Sequence, residues 1–594
     1  YYSFYLVFDF MRLSIFFSLF FLLSNIFIQS MQFDIQWDGT EEFSVGKKSL
    51  KVPNSKNFKN NYAFSEYYKI VRQWEDNRII NKNSVKISNI TYSNIDPENY
   101  SGFDKIVFEK DIQFSFNSSI SKNKIFTFLE ISPVVQQNGL FKKVESFTIS
   151  FNYQEDSNKI QSSVQPSVMR NGDWYQFFVE VTGIHRLDKD FLDDLGVNTE
   201  NIDPRKIRIY GSGGSMLTME NLDSFLIDPT ENSIKVYGEE DGVFDSNDYI
   251  LFYAVGPEDF NEESNTNLNL FEDKISYFLP IGAENGLRVN TFNEPNAEST
   301  FNIDYYTNYK FHEKDEYNLA KIGRRWFGDK FDFENVKTFE FDLDDLILES
   351  PVKFKIYAAA TSEIVTTMSV NINSSQLSTL VFGPIGDPIL ATGDSFSSNL
   401  DLNSSSVNVT LTYNNNGNPA STAFLDYISI EGNSNLNFNQ NQLIFYNNDL
   451  EINDEIVSYE ISNAQNISSI WNISEMSSIS EIFPNQENSF SFKSYYSKSN
   501  KFIAFDGLEF FTPTIENDSQ LENQNIKEDI FLNSQNEFQQ LDYIIISPSD
   551  MLFQAERLAE INRVQNGLNV KVVELQKIYN EFNSGNQDIS AIRN

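Results

Sequence analysis

No cysteine occurs among the 594 residues. Disulfides, thiolate metal sites and a thiol nucleophile carried by this polypeptide are thereby excluded. Histidine is nearly as scarce. His185, in Gly-Ile-His-Arg-Leu, and His312, in Phe-His-Glu-Lys-Asp-Glu, are the two present. Isolated imidazoles without cysteine make neither a zinc site nor a catalytic dyad, so both read as structural. Positive charge is in deficit too, with 45 Lys and Arg against 84 Asp and Glu and a formal net charge of -39. That field repels phosphate backbones and anionic headgroups, which argues against nucleic-acid binding and suits a large soluble extracellular protein. Beyond residue 30 no stretch is apolar enough to cross a bilayer.

The one long apolar run stands at the start. The chain opens on Tyr1, and Met11 is the better initiator. Met11-Arg12 then forms a basic n-region, Leu13 to Ile28 an apolar core, and Ser30 a small residue near a cleavage point. Residues 1–30 are therefore expected to be a signal peptide with an upstream extension, and the mature protein to be exported. A membrane anchor is the rival reading. Against it, polar Gln32, Asp34 and Asp38 follow directly, without a basic stop-transfer cluster.

What is abundant is aromatic and β-forming: 55 Phe and 28 Tyr, with Asn, Ser and Thr clustered between apolar pairs. A mainly β fold is expected, as several β-sandwich or jelly-roll-like domains. Residues 31–165 alternate apolar and polar positions in Lys105-Ile-Val-Phe-Glu, Ile112-Gln-Phe-Ser-Phe and Phe147-Thr-Ile-Ser-Phe-Asn-Tyr, and Gln154 to Ser167 reads as a linker. Residues 166–300 carry two strands around Thr182-Gly183, then a short helix from Asp188 to Leu195 closed by Gly196. Residues 301–435, with Val352-Lys-Phe-Lys-Ile-Tyr-Ala and Val407-Asn-Val-Thr-Leu-Thr-Tyr, have jelly-roll spacing. Residues 436–540 hold shorter strands and a polar connector from Glu516 to Gln540.

From 541 the period changes. Asp542-Tyr-Ile-Ile-Ile-Ser is a continuous apolar run. Met551 to Val564 keeps helical spacing up to Gly567, Leu568-Asn-Val-Lys-Val-Val is a second strand, and Leu575 to Phe582 is a further helix. This β-α-β order opens a parallel sheet, which residues 541–594 are too few to complete. The expectation is an α/β domain truncated near its beginning.

Two local patterns invite a ligand. Asp241, Asp245 and Asp248 flank Gly242 in an acidic turn that could line a calcium loop with oxygen, although the spacing fails the EF-hand pattern and equally suits a capped turn. Tyr210-Gly-Ser-Gly-Gly-Ser looks like a phosphate-cradling loop but lacks the lysine and following helix that such a loop requires.

Several motifs together resemble a known family. Gly172-Asp-Trp-Tyr, Thr182-Gly-Ile-His-Arg-Leu, Asn201-Ile-Asp-Pro-Arg-Lys-Ile-Arg-Ile-Tyr-Gly-Ser-Gly-Gly, Gly323-Arg-Arg-Trp-Phe-Gly and Phe424-Leu-Asp-Tyr-Ile resemble the N-terminal region of the type IX secretion sortases. Asp542-Tyr-Ile-Ile-Ile, Ala555-Glu-Arg-Leu-Ala-Glu, Gly567-Leu-Asn-Val-Lys-Val-Val and Ile578-Tyr-Asn-Glu-Phe-Asn-Ser-Gly resemble the opening of a gingipain-like cysteine peptidase domain. The resemblance implies a caspase-like α/β domain with a Cys nucleophile and a His base. It also implies an enzyme that removes C-terminal secretion signals from cargo and joins the cargo to surface lipopolysaccharide. Its place would be the outer face of the outer membrane, beside an integral partner, PorV. Without cysteine, the nucleophile would lie beyond Asn594, and this fragment would be inactive. A non-enzymatic surface-binding or adhesin module is the alternative.

Overall fold

In a computed structural model, residues 29–593 are described apart from 46–47, 62–67, 77, 97–99, 101–107, 109, 122–123, 138–139, 154–165, 221–227, 262, 451–454, 486 and 517–518. The signal-peptide run, the Lys105 strand and most of the Gln154 linker lie outside those residues. The chain forms two compact units, residues 1–163 and 164–594. Among the described residues no helix is long and apolar enough to cross a membrane.

The first unit is built from antiparallel sheets. The strand Leu140–Phe151 pairs with Gln29–Asp34 and Lys86–Asn94, and Lys124–Ile131 lies between Lys69–Asp76 and Phe114–Ser121. Alternate residues of both sheets meet in one core, where Phe33 stacks on Phe147 at 5.3 Å beside Ile70, Leu129 and Ile149. This is the half-buried alternation that the period-two sequence predicts.

In the second unit a jelly roll occupies Tyr305 to Asn435. Its strands are β1 (Tyr305–Glu313), β2 (Val336–Asp342), β3 (Val352–Thr361), β4 (Thr366–Ile372), β5 (Ser375–Phe382), β6 (Thr392–Leu400), β7 (Ser406–Asn414) and β8 (Thr422–Asn435). One sheet runs β1-β8-β3-β6 and the other β2-β7-β4-β5. Phe354 and Ile356 of β3, Val409 and Leu411 of β7, and Met368 and Val370 of β4 point inward and are buried, while their sequence neighbours face out. A β-bulge interrupts the β3–β8 register: Tyr357 faces Tyr427 but Ala358 faces Leu425, which leaves Asp426 as the extra residue.

The jelly roll is inserted into a second β module. Just before it, Phe301–Ile303 pairs in parallel with Ile456–Ser462, which follows it. That module in turn shares a core with residues 166–300, since Ile184, Leu251 and Tyr253 pack on Trp471, Ile503 and Phe505. Cores therefore mix segments from both sides of the jelly roll, which a linear reading of the chain divides. The helix Lys189–Asp194 has Asp188 as its N-cap, and Gly196 follows at φ +93°.

Glu516 to Gln540, expected to be a bare polar connector, is structured. Gln520–Leu521 adds to the edge of Asp173–Val179, and Ile526–Phe531 is a helix whose Ile526 is buried. Polar composition concealed this, because a few apolar residues, Ile526 and Ile530 among them, pack into a core and hydrogen bonds supply the rest of the anchoring. Beyond it, β9 (Tyr543–Ser547) and β10 (Val570–Glu574) pair in parallel through helix α1 (Leu552–Asn566), which ends at left-handed Gly567, and α2 (Leu575–Phe582) follows. Ser549 to Met551 form a 3-10 turn that leads into α1 without a side-chain cap. Tyr543, Ile544 and Ile546 of β9 and Phe553 and Val564 of α1 remain exposed.

Replacing fully buried Leu411 with alanine should destabilise the jelly roll by about 2–5 kcal/mol, whereas Val381→Ala on the exposed face of β5 should cost under about 0.5 kcal/mol. Guanidinium unfolding followed by tryptophan fluorescence checks this. Equal shifts for the two variants would contradict the assigned inward face.

Candidate functional site

The α/β opening is docked on the β-region by a polar interface. After α2 the chain runs through Asn583, Ser584, Asn586 and Asp588, all nearly inaccessible to solvent. Buried polar groups need partners, and these have them. Asn586 Oδ1 accepts from Ser276 N at 2.7 Å, and Ser584 Oγ lies 2.7 Å from Ser212 Oγ. Asp588 Oδ2 accepts from Leu217 N at 2.9 Å, and its Oδ1 caps the following 3-10 turn through Ser590 N at 2.8 Å. Arg593 donates to the carbonyls of Thr218 and Met219, both at 2.7 Å. Gly585, at φ +87°, lies so close to the sheet that a Cβ would stand 2.5 Å from Ser276 Oγ. On the other side Glu581, wholly buried, accepts from Ile526 N at 2.7 Å and Gln524 Nε2 at 3.2 Å, tying α2 to the connector helix.

Arg324 closes this interface from the jelly-roll side. Its Nη2 donates to Asp588 Oδ1 at 3.1 Å, to Ser590 Oγ at 3.0 Å and to the Leu217 carbonyl at 3.0 Å, with both charged side chains almost fully buried. The next residue, Arg325, pairs with Asp426, the bulge residue of β8, and lies 4.8 Å over the Tyr357 ring. Removing the alternation at the bulge lets this carboxylate meet a charge that a regular strand would deny it.

Around Arg325 stand two more acids. Glu313 is held by Thr266 Oγ1 at 2.7 Å and by Asn267 N and Nδ2, both at 2.8 Å. The carboxylate of Asp315 accepts no hydrogen bond, and burial, reinforced by Glu313 and opposed by Arg325, pushes it up to about 7. Burial likewise raises Asp426 in spite of Arg325. Three acids thus share one guanidinium.

The residues singled out from sequence are elsewhere. His185 is buried between the Phe252 and Phe511 rings, each at 5.5 Å, with Nδ1 3.1 Å from the Gly183 carbonyl, and burial lowers its pKa to about 4. It is a neutral core residue. His312 Nε2 lies 2.6 Å from Asp329 and its ring packs on Phe339, far in sequence from His185 and with no nucleophile beside it. Asp241, Asp245 and Asp248 turn back onto local backbone, accepting from Val243 N, Asn247 N and Asp245 N respectively, as turn caps do. Among the described residues no three His, Cys, Asp or Glu side chains are grouped to hold a metal. The Gly211–Gly214 loop is a packing device, since a Cβ at Gly214 would fall 1.8 Å from the Gly256 carbonyl oxygen. Sequence reasoning missed Arg324, Asp588 and Glu581 as interface residues. Their signal was slight, an Arg-Arg pair and a helix-capping Asp.

Comparison with known proteins agrees with this layout. Residues 536–594 match the model of Peptidase family C25. The fold is that of dimeric latent PorU from Porphyromonas gingivalis, with a TM-score of 0.58 and 21% identity over 73% of this chain. The chain spans 40% of the length of that protein. The complex of pro- and mature domains of RgpB from Porphyromonas gingivalis matches at 10% identity and a TM-score of 0.15, covering 22% of this chain and 81% of that one. A CBM36-1 xylanase domain from a Trinervitermes trinervoides hindgut metagenome matches at 12% identity and a TM-score of 0.16, covering 21% and 98%. Similarity at those two scores supports no argument. No curated protein sequence matches the chain.

The unpartnered Asp315 carboxylate gives a pH dependence. Its folded pKa of about 7 exceeds the ordinary 3.8, so the folded state holds the proton more tightly than the unfolded one. The stability this contributes is complete below the unfolded value and is lost as pH rises through about 7. Asp315→Asn should therefore raise the melting temperature more at pH 8 than at pH 5. Thermal unfolding at the two pH values checks it, and an equal gain at both would contradict the buried-acid account.

Proposed function

We propose that this chain is the accessory β-region and the opening of the catalytic domain of a C25 cysteine endopeptidase that acts as a type IX secretion sortase. Three things support the reading: the family match over residues 536–594, the PorU fold of the β-region, and the sequence motifs quoted above. The observation that carries it is the buried Arg324–Asp588 pair. An α/β opening bound so closely to a β-scaffold is presented in a fixed orientation, which is what a peptidase needs from an accessory region.

The chemistry would be thiol-based. A cysteine thiolate would attack the scissile carbonyl, an imidazole would accept and return the proton, and backbone N–H groups would hold the oxyanion. This chain has no cysteine, so on this reading the nucleophile is not among its residues. The exposed apolar side chains of β9 and α1 would be covered by further elements of the same domain. On this reading the protein is exported through a signal peptide and resides at the extracellular face of the outer membrane beside a partner such as PorV. Its substrates would be cargo proteins with C-terminal sorting signals, transferred to surface lipopolysaccharide. No residue of this chain is assigned to bond cleavage. Calcium is not required by the reading.

The test uses the polypeptide extended through the whole C25 domain. It should cleave a cargo carrying a C-terminal sorting signal, and a thiol alkylator should abolish the cleavage. Arg324→Ala should lower kcat/KM on the order of tenfold to a hundredfold through misplacement of the catalytic domain, while Arg557→Ala on the exposed side of α1 should leave it unchanged. Absence of alkylator-sensitive cleavage in the parent would overturn the enzymatic reading. Full activity of Arg324→Ala would overturn the positioning role alone.

A further inference from the structure

A cleft on the outer face of the β1-β8-β3 sheet has no part in the peptidase reading. It consists of two adjoining hollows of about 400 and 320 Å³, which share Phe260, Tyr309 and Tyr446 as lining. Spaces of this size accommodate small ligands. The floor is made by outward positions of the jelly roll, Tyr309 on β1, Ser429 and Glu431 on β8, and Lys353 and Lys355 on β3. The roof is the hairpin of Glu258–Asn261 and Thr266–Leu268, which carries Phe260.

The hairpin is held in place rather than draped over the sheet. Tyr309 Oη donates to Asn267 Oδ1 at 2.6 Å, and Asn267 is itself fixed by the buried Glu313. Phe260 stands with its ring centroid 6.1 Å from that of Tyr309 and remains 42% exposed, a large apolar ring left in solvent at the mouth. Tyr446 forms the facing wall, with Lys501 Nζ 5.6 Å over its ring.

We propose that this cleft binds a short oligosaccharide. The proposal goes beyond the peptidase reading and stands apart from it. Flat aromatic rings lining a cleft offer faces to the C–H surface of a sugar ring. Around them are ammonium donors, a carboxylate acceptor and the Asn448 amide, which both donates and accepts, as vicinal hydroxyls require. An extended peptide fits less well. The central floor strand β8 is already paired on both sides, with β1 and β3, so no free backbone edge is offered for strand addition. A polyanion fits less well too, because Glu431 lies 3.9 Å from Lys353 and Asp259 lines the same cleft.

The whole chain is to be screened on an array of cello-, xylo-, manno- and galacturono-oligosaccharides, and the best binder titrated by calorimetry. Phe260→Ala should weaken binding about fivefold to tenfold by removing one stacking face. Lys355→Met should weaken it in the same sense, and Val381→Ala, on the other sheet, should leave it unaltered. Phe260 and Lys355 lie outside the assigned cores, and unchanged melting temperatures will show that loss of binding is not loss of fold. Failure of every oligosaccharide to bind, binding indifferent to both cleft variants, or displacement of the sugar by an extended peptide would each overturn the proposal.

Discussion

Arg324 and Arg325 leave the backbone in succession and satisfy different partners, one in the α/β opening and one in the jelly-roll sheet. Arg324 is almost wholly drawn out of water and Arg325 only partly so, and each is matched by a carboxylate as its counter-charge. Asp588 supplies one from a turn cap, and Asp426 supplies the other from a β-bulge. Because the two arginines are adjacent, the position of one constrains the other, and the jelly roll cannot shift against the α/β opening without breaking a buried charge pair. The remaining interface contacts, from Ser584, Asn586 and Arg593, are hydrogen bonds of a kind that demand that fixed geometry.

The two kinds of packing in this second unit have different tasks. Within each β module apolar side chains alternate into a core, and burial there is non-directional and tolerant of small adjustments. Between the β-region and the α/β opening a small apolar cluster, with Leu217 against Ile578, Tyr579 and Ala591, stands beside buried Asn, Ser, Asp and Glu, whose partners must lie at hydrogen-bond distance. A polar interface adds modest net stability but specifies one orientation. That property suits an accessory region whose value lies in where it holds a catalytic domain. The same polar economy recurs at Glu313, which orders the hairpin over the oligosaccharide cleft.

The elements legible in the sequence were those with a strong period or a cap. The inward residues of β7 alternate throughout and those of β3 from Val352 to Ala358, Asp188 and Gly196 bracket their helix, and α2 spans Leu575–Phe582 as its spacing predicts. The insertion of the jelly roll between Phe301–Ile303 and Ile456–Ser462 was not legible, because pairing partners more than a hundred residues apart leave no local periodicity. The docking residues were hidden for a different reason. A buried Asn or Glu has the same sequence signature as an exposed one, and the Glu516 to Gln540 stretch therefore read as a connector. The bulge at Asp426 gave only a small sign, a charged residue within the apolar run Phe424-Leu-Asp-Tyr-Ile.

The central claim is that Arg324 and Asp588 act as one buried unit joining the β-region to the α/β opening. A double-mutant cycle with Arg324→Met and Asp588→Asn, read as native-state hydrogen-exchange free energies of the amides from Asn583 to Arg593, tests it most directly. The account predicts that each single variant loses protection and that the pair loses far less than the sum, with a coupling of about 2–3 kcal/mol. Additive losses within about 0.5 kcal/mol would contradict it and leave the two side chains as neighbours without a shared function.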